Sequence, residues 1–222
     1  MKAMTSTLDP VLARKLQEIS LPTLGHFLET GFAGHALRAL VPNVKMVGRA
    51  VTLKLASHDA FAVNRALTQI TAGDVLVIDM NGDHAHAPIG AVTVTAAQCA
   101  GAAGIVVDGV ATDLADLRQI GLPVFARGTS ALTTKRLGNS DSSFGVLVQC
   151  CCASVLPGAI VIGDNNGVLI SDAATLTSVV DAALASDRAE PGLLARLRAG
   201  EALAEVLPME SHASIRDTNG KH

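Results

Sequence analysis

Short apolar runs separated by helical patterns make up the central part of the chain. The runs begin at Gly73 (GDVLVID), Gly104 (GIVVDG) and Gly121 (GLPVFARG), and none of them alternates between apolar and polar residues. Runs of this kind are typical of parallel strands that are buried on both faces of a sheet. Helical stretches are predicted between them, over 91–103 and 113–120. The pattern therefore predicts an α/β fold with a central parallel sheet flanked by helices.

The segments on either side predict further helices and strands. Before the central runs, Asp9 precedes a proline and is suited to cap a helix that reaches about residue 20. After Ser143, three apolar runs follow one another with short connections, which indicates more antiparallel pairing. The remaining predicted elements are, in chain order, a helix over 23–30, a strand within 45–56, a helix over 59–71, a helix over 172–186 and a helix over 191–207.

The predicted organisation is one α/β domain over residues 1–222. No stretch has the composition of an interdomain linker, and a core of about residues 20–207 is followed by a tail over 210–222. A chain of this length can form a sizeable core. Apolar residues make up 49% of the chain but aromatic residues only 2%, so Ala, Val, Leu and Ile must fill that core.

Charge and aromatic content exclude several function classes. The net charge is -3 and no basic block stands out, which disfavours binding to the phosphate backbone of nucleic acids through positive charge. Trp and Tyr are absent, so stacking platforms for nucleic-acid bases are scarce. The apolar runs are too short to span a bilayer, and residues 1–10 lack the apolar segment of a signal peptide. We therefore expect a cytoplasmic protein without nucleic-acid or membrane partners.

The cysteines do not form a recognisable metal or disulfide motif. Cys99 stands alone, and Cys150, Cys151 and Cys152 are consecutive, without a CxxC pair. On a strand, Cys150 and Cys152 would share one face while Cys151 points to the other. One interpretation is a metal site formed by the thiols. The other is that the cysteines are small apolar residues that fill a buried strand, which requires no bound ion.

A candidate binding loop follows the run that begins at Gly73. In an open α/β sheet, ligands collect at the carboxyl ends of the strands, so we expect Asp79 and Asp108 at the same edge as Gly90. The loop ends at Gly90, just before a predicted helix, and the amides of the first helical turn lack partners inside the helix. These amides could receive a carboxylate or phosphate group. They belong to Gly90, Ala91, Val92 and Thr93.

Histidines in the same region offer an alternative chemistry. His84 and His86 lie in the loop, and His58 precedes Asp59. A His-x-His pair can bind a metal ion, although histidines in polar loops are commonly solvated. Other signatures are absent, because the sequence contains no GxGxxG after a strand, no P-loop and no GxSxG elbow.

The stretch GIVVDGVATD places two carboxylates, Asp108 and Asp113, at the end of an apolar run. We expect Asp108 to secure the turn at the strand end, with Gly109 supplying conformational freedom. Asp113 begins a helical stretch and could cap it, with Asp116 favouring the helix dipole. Asp113 could equally bind a hard divalent cation such as Mg²⁺, which takes one or two carboxylates and several waters. The residues alone leave both interpretations open.

Five blocks give the chain a resemblance to a known family. They keep their order and spacing over roughly residues 20–207, and the block around GIVVDG and GLPVFARG is the most specific. The chain resembles the RraA-like family, which includes the class II pyruvate aldolases that act on 4-hydroxy-4-methyl-2-oxoglutarate. The matching blocks are GRAVTLKLASHD, AGDVLVID, IGAVTVTAAQCAGAAGIVVDGVATDLADL, GLPVFARG and GDNNGVLIS.

The resemblance implies a fold, an assembly and a reaction. It implies a swivelling-type βαβ domain with a parallel or mixed sheet, and a homotrimer or a hexamer of two trimers with sites between subunits. It implies Mg²⁺ or Mn²⁺ at Asp113, helped through water by Asp116. A small 2-oxo acid would be held by the Gly90–Thr93 amides and by the arginine of an Arg-Asp pair. The implied chemistry is retro-aldol cleavage, or decarboxylation of oxaloacetate, through a pyruvate enolate stabilised by positive charge.

Two positions depart from the family pattern. The arginine of the Arg-Asp pair is Thr112, and the acidic residue after the loop glycine is Ala91. A threonine supplies one neutral hydroxyl, whereas arginine grips a carboxylate with two hydrogen bonds and a permanent charge. An arginine elsewhere in the sequence could take its place in space. The candidates are Arg65, Arg118 and Arg127.

Two functional hypotheses from different classes follow. The first is a divalent-metal lyase of the aldolase or oxaloacetate decarboxylase type with an altered active site, which Asp113, Asp116 and the Gly90 loop favour. The second is a catalytically lapsed binding or regulatory protein that acts through a protein partner, in the manner of the ribonuclease regulators of the family. Thr112 and Ala91 favour the second. Older labels in this family speak of menaquinone methyl transfer, but the chain has no Gly-rich loop for a methyl-donor nucleotide.

Overall fold

The computed structural model describes residues 8–138 and 141–207. The chain divides into two compact units, Met1–Leu184 and Ala185–His222, and the sites described below lie in the first unit. The predicted tail over 210–222 lies outside the described residues. The organisation as one domain stays a prediction. Within the described ranges, every helix is too short or too polar to cross a lipid bilayer.

Helices and strands alternate through the first two thirds of the described chain. The helices are α1 (Pro10–Glu18), α2 (Leu21–Gly25), α3 (Ala60–Leu67), α4 (Ala91–Cys99), α5 (Leu114–Ile120), α6 (Ala173–Arg198) and α7 (Leu203–Val206). The strands are β1 (Arg38–Ala39), β2 (Met46–Lys54), β3 (Asp74–Asp79), β4 (Gly104–Asp108), β5 (Val110–Ala111), β6 (Val124–Ala126), β7 (Gly128–Thr129), β8 (Ser143–Phe144), β9 (Val148–Cys150), β10 (Ala153–Val155), β11 (Ile160–Asp164) and β12 (Gly167–Ser171).

The main sheet is mixed. Its order is β1-β6-β4-β3-β2-β11-β12, with β8 paired to β2. Strands β2, β3, β4 and β6 run parallel, whereas β1, β11 and β12 pair antiparallel with their neighbours. The prediction of an α/β fold with a mixed sheet flanked by helices is confirmed, as is the antiparallel pairing after Ser143.

Strand β3 shows why the central runs lack alternation. Leu76 and Ile78 pack with α3, α4 and α5 on one face of the sheet. Val75 and Val77 point to the other face, where they pack against the β9–β10 hairpin. Both faces are therefore covered, and every residue of β3 is buried.

The acidic ends of β3 and β4 lie side by side. Asp79 is paired in register with Asp108 at the carboxyl ends of the two parallel strands. The loop that leads to Gly90 leaves this edge from β3, and the segment that leads to Asp113 leaves it from β4. The prediction that Asp79, Asp108 and Gly90 share one edge of the sheet is confirmed.

The β9–β10 hairpin is anchored to this edge by the two carboxylates. Asp79 Oδ2 accepts a hydrogen bond from the Gln149 amide at 3.1 Å. Asp108 Oδ2 accepts one from the Cys151 amide at 2.9 Å. The hairpin therefore covers the ends of β3 and β4. Asp79 and Asp108 each use one carboxylate oxygen to hold it there.

The predicted arrangement of the cysteine run is wrong. Cys151 and Cys152 form the two-residue turn of the hairpin, with φ of 48° and 72°, rather than positions along a strand. Two-residue hairpin turns of this kind match the twist of the flanking strands. Cys150 and Cys151 are buried and Cys152 is exposed, so apolar filling applies to the first two. Burial raises the pKa of the Cys150 thiol well above its ordinary value.

Three predicted helices have different bounds in the structure. The helix predicted over 23–30 is α2, which begins at Leu21 after the Ser20 cap and ends at Gly25. The two helices predicted over 172–186 and 191–207 are replaced by a continuous α6 that passes through Pro191, followed by the short α7. Pro191 is exposed, so the carbonyl that its ring displaces can be solvated.

We predict that Asp79→Ala lowers the free energy of unfolding by about 2–3 kcal/mol, because it leaves two part-buried backbone amides without their acceptor. Asp79 accepts from Asn81 and Gln149 and is only 6% exposed. The matched control is Asp181→Ala, which removes an exposed ion pair with Lys15 and should cost less than about 1 kcal/mol. Urea unfolding of the two variants checks the difference, and equal losses would contradict the anchoring role.

Candidate functional site

The candidate site lies where the start of α4 meets the segment before α5. The Thr112 amide donates to the Ile89 carbonyl at 3.0 Å, which ties the two segments together. Gly90 allows this approach, because a Cβ at that position would lie 2.5 Å from Asp113 Oδ2 and 2.6 Å from the Thr112 methyl carbon. Any larger residue at position 90 must displace the side chains of Thr112 and Asp113.

Asp113 caps a different helix from the one predicted. It has φ of 57° and makes no side-chain hydrogen bond to the first turn of α5, so the N-cap interpretation is wrong for α5. Its Oδ2 instead accepts the Ala91 amide at 2.9 Å, in the first turn of α4. Its Oδ1 accepts the Thr112 hydroxyl at 3.2 Å. The carboxylate therefore supplies the cap that Gly90 cannot supply itself.

Two of the four predicted binding amides already have partners. The Gly90 amide donates to Thr93 Oγ1 at 2.8 Å, and the Ala91 amide donates to Asp113. No described residue accepts a hydrogen bond from the Val92 or Thr93 amide. The expectation that the four amides receive a ligand stays a prediction, and the pair at Val92 and Thr93 is the part that is open in this structure.

The predicted acidic pair consists of two exposed carboxylates, three residues apart in the sequence. Asp113 and Asp116 are both exposed, and Asp116 lies in the first turn of α5. A carboxylate has about four acceptor positions, and Asp113 uses two of them within the described chain. The donor set fits a hard cation that takes one carboxylate and several waters. The assignment of a metal to Asp113 and Asp116 stays a prediction.

The three candidate arginines occupy different parts of the fold. Arg127 lies beside the strand edge, where its amide donates to the Gly109 carbonyl at 2.7 Å. Its Nε donates to Asp108 Oδ1 at 2.5 Å. Arg118 Nε donates to the Leu40 carbonyl, and Arg65 lines a groove with Phe144. Arg127 is therefore the candidate that is anchored next to the segment leading to Asp113.

Asp108 has a long-range role rather than the local one expected. Its two oxygens bind Arg127 and the Cys151 amide, so it joins β4 to β6 and to the hairpin. The hydrogen bond to Asp108 raises the pKa of Arg127 above its ordinary value, in spite of burial. The sequence gives no signal for this pairing, because the partners are 19 and 43 residues away.

A second group of potential ligands lies in the loops after β2 and β3. His58, Asp83 and His86 each place a ligand atom within 4.8 Å of the others, and no other such group of three exists among the residues that the structure describes. His84, which the sequence interpretation paired with His86, is exposed and outside the group. Sequence reasoning missed Asp83, for which the Asp-x-x-His spacing was an available signal.

We predict that Gly90→Ala destabilises the start of α4 and weakens any ligand contact at Val92 and Thr93. The added methyl group collides with Thr112 and Asp113, which should cost about 1–3 kcal/mol in unfolding free energy. Gly192→Ala is the control, since a Cβ at Gly192 meets no atom within 4 Å and alanine favours a helix. Thermal unfolding of both variants checks this, and an unchanged Gly90→Ala protein would contradict the close approach.

Comparison with known proteins gives a consistent pattern. The profile of the RraA-like family (Aldolase/RraA) matches residues 23–170. A protein of Halalkalibacterium halodurans, provisionally named a 4-hydroxy-4-methyl-2-oxoglutarate aldolase, is 34% identical over 134 residues. The match covers 60% of this chain and 63% of that protein, so the chain spans less than two thirds of this relative.

Solved structures support the same assignment. Streptomyces coelicolor RraAS2, described as an unusual member of the RNase ES inhibitor RraA family, has 25% identity and a TM-score of 0.72, covering 87% of this chain and 99% of that one. An uncharacterised protein of Pseudomonas syringae pv. tomato shares the fold, with 21% identity, a TM-score of 0.78 and coverage of 93% and 97%. The family profile covers more than half of the sequence, and the chain belongs to the RraA-like family.

Proposed function

We propose that the chain keeps the divalent-cation position of a metal-dependent lyase that acts on a small 2-oxo acid, of the aldolase or oxaloacetate decarboxylase type. The observation that supports this most is the exposed Asp113 carboxylate, held at the start of α4 beside two amides that bind no acceptor among the described residues. Such a cation, Mg²⁺ or Mn²⁺, supplies Lewis-acid polarisation of a keto group when bound.

The residues of the chain have separate tasks in this proposal. Asp113 is the cation ligand and Asp116 acts through water. The Val92 and Thr93 amides, at the positive end of α4, orient the carboxylate of the substrate. The Thr112 hydroxyl, 3.2 Å from Asp113 Oδ1, can turn toward the substrate and donate one neutral hydrogen bond.

The missing element is positive charge from the protein. Cleavage next to a 2-oxo acid leaves an anionic product fragment, and a fixed charge near it lowers the barrier. Loss of one such contact costs about 3–4 kcal/mol, on the order of a hundredfold or more in rate. Arg127, the best-placed arginine, is already paired with Asp108. We therefore expect the site to bind its ligands and to turn over slowly.

We predict that the double change Ala91→Glu with Thr112→Arg raises Mg²⁺-dependent pyruvate release from oxaloacetate by about tenfold or more, because one charged contact contributes about 1.5–3 kcal/mol. Wild type should barely exceed the background of the free metal. The double variant Ala91→Glu with Thr112→Lys is the matched control. Lysine restores the positive charge but cannot form the two parallel hydrogen bonds that arginine makes with a carboxylate. Fast, chelator-sensitive turnover by wild type would show that another group supplies the charge.

A second function is favoured by the bonds that Asp113 already makes. Its carboxylate is bound to the Ala91 amide and the Thr112 hydroxyl, so the site is stable without substrate. The RraA-type relatives named as ribonuclease inhibitors act on a protein partner. A protein that binds a partner in this way would need the stable fold but no working active site. Lack of turnover in both the wild type and the double variant would favour this function.

We also propose a homotrimer, or a hexamer of two trimers, on the basis of the family assignment. An apolar groove of about 780 Å³ supports an assembled state, because Leu147 and Leu156 line it while 52% and 61% exposed. Leu156→Glu should shift the assembly toward smaller species in multi-angle light scattering, whereas Leu203→Glu, at a residue 64% exposed that does not line the groove, should not. A monomeric wild type at micromolar concentration would contradict the assembly.

A further inference from the structure

Two loops bring imidazole and carboxylate groups together at the edge of the sheet. His58 follows β2, whereas Asp83 and His86 follow β3, and β2 and β3 are parallel neighbours. Both loops are attached to the same segment, because the Lys135 amide donates to the His58 carbonyl at 2.7 Å and the Ala87 amide donates to the Leu132 carbonyl at 2.8 Å. The backbone therefore fixes the separation of the two histidines.

Asp83 sets the orientation and the tautomer of His86. Its Oδ1 accepts the amides of Ala85 and His86 at 2.9 and 3.1 Å, and its Oδ2 contacts His86 Nδ1 at 2.7 Å. A carboxylate only accepts hydrogen bonds at neutral pH, so Nδ1 is the donor to Asp83 and Nε2 is the ring atom left to bind a metal ion.

We propose that His58, Asp83 and His86 form a site for a borderline transition-metal ion such as Zn²⁺, separate from the Asp113 position. His58 and His86 would supply the imidazole ligands that such ions prefer, and the candidate atoms of the three residues lie within 4.8 Å of one another. Asp83 would hold the His86 ring through Nδ1, because a carboxylate bound to Nδ1 does not reach an ion on Nε2 of the same ring. The carboxylate–histidine contact is the arrangement that usually supports a metal-bound imidazole. The His86 and Asp83 side chains are 23% and 27% exposed, which leaves room for water or a ligand on the ion.

Binding requires one ring to move. The His58 and His86 rings are stacked, with centroids 4.2 Å apart and planes 9° from parallel. Imidazole lone pairs lie in the ring plane, so those of stacked rings run nearly parallel and do not converge on one ion. His86 is held by Asp83, so the ring of His58 is the one that turns. Metal binding should therefore break the stack.

The test is Zn²⁺ titration of the full chain by calorimetry, after alkylation of the exposed Cys99 and Cys152 thiols. We expect one ion per chain with a Kd of about 10 μM or tighter. His58→Ala and His86→Ala should each weaken binding by more than about tenfold, and Asp83→Asn by about 10–100-fold. The matched control is His84→Ala, in the same loop but outside the group, which should bind as wild type does.

Two further measurements separate this site from others. Asp113→Ala should leave Zn²⁺ binding unchanged, so failure of the lyase proposal does not affect this one. In histidine ring NMR spectra, Zn²⁺ should shift the His58 and His86 protons downfield as the shielding from the stack is lost. The proposal is overturned if wild type binds no Zn²⁺ in this range, if His84→Ala abolishes binding, or if the His58 and His86 signals do not respond.

Discussion

The parallel pairing of β3 with β4 is the constraint on which the rest of the structure depends. It places Asp79 beside Asp108 at one edge of the sheet, and both chain segments that build the candidate site leave from that edge. The register is fixed because both faces of β3 are buried, and a slip by one residue would exchange the two sets of packed side chains. The hairpin that packs on this edge depends on the same two carboxylates.

Asp113 shows how the residue before a carboxylate can affect its use. The resemblance to the aldolases implies an arginine before this aspartate, whereas this chain has Thr112. The carboxylate forms its hydrogen bonds with the start of α4, where the helix dipole favours negative charge. It thereby contributes to the stability of α4 in the absence of ligand, and it keeps acceptor positions that a hydrated cation can use. The structural role of Asp113 and the binding of a cation are therefore compatible, whereas stabilising the charge of a reacting group requires a charged side chain, which Thr112 does not supply.

Sequence patterns predicted the strands, the shared edge and the segments of the site, because buried parallel strands have a distinct composition and their carboxyl ends must coincide. They did not predict which helix Asp113 caps, since that depends on its left-handed backbone and on the absence of a Cβ at Gly90. The turn at Cys151 was also missed, because cysteine carries no turn signal. The continuity of α6 through Pro191 depends on solvent exposure, which periodicity alone does not reveal.

The edge of the sheet thus offers two kinds of donor set, one with hard carboxylate oxygens at Asp113 and Asp116 and one with imidazoles at His58 and His86. The central claim is that Asp113 retains the hard-cation position. Mn²⁺ binding, followed by loss of the free-ion EPR signal, tests this most directly. Wild type should bind one Mn²⁺ that Mg²⁺ displaces, Asp116→Ala should weaken binding moderately, and Asp113→Ala should abolish it. Unchanged Mn²⁺ binding by Asp113→Ala would contradict the account.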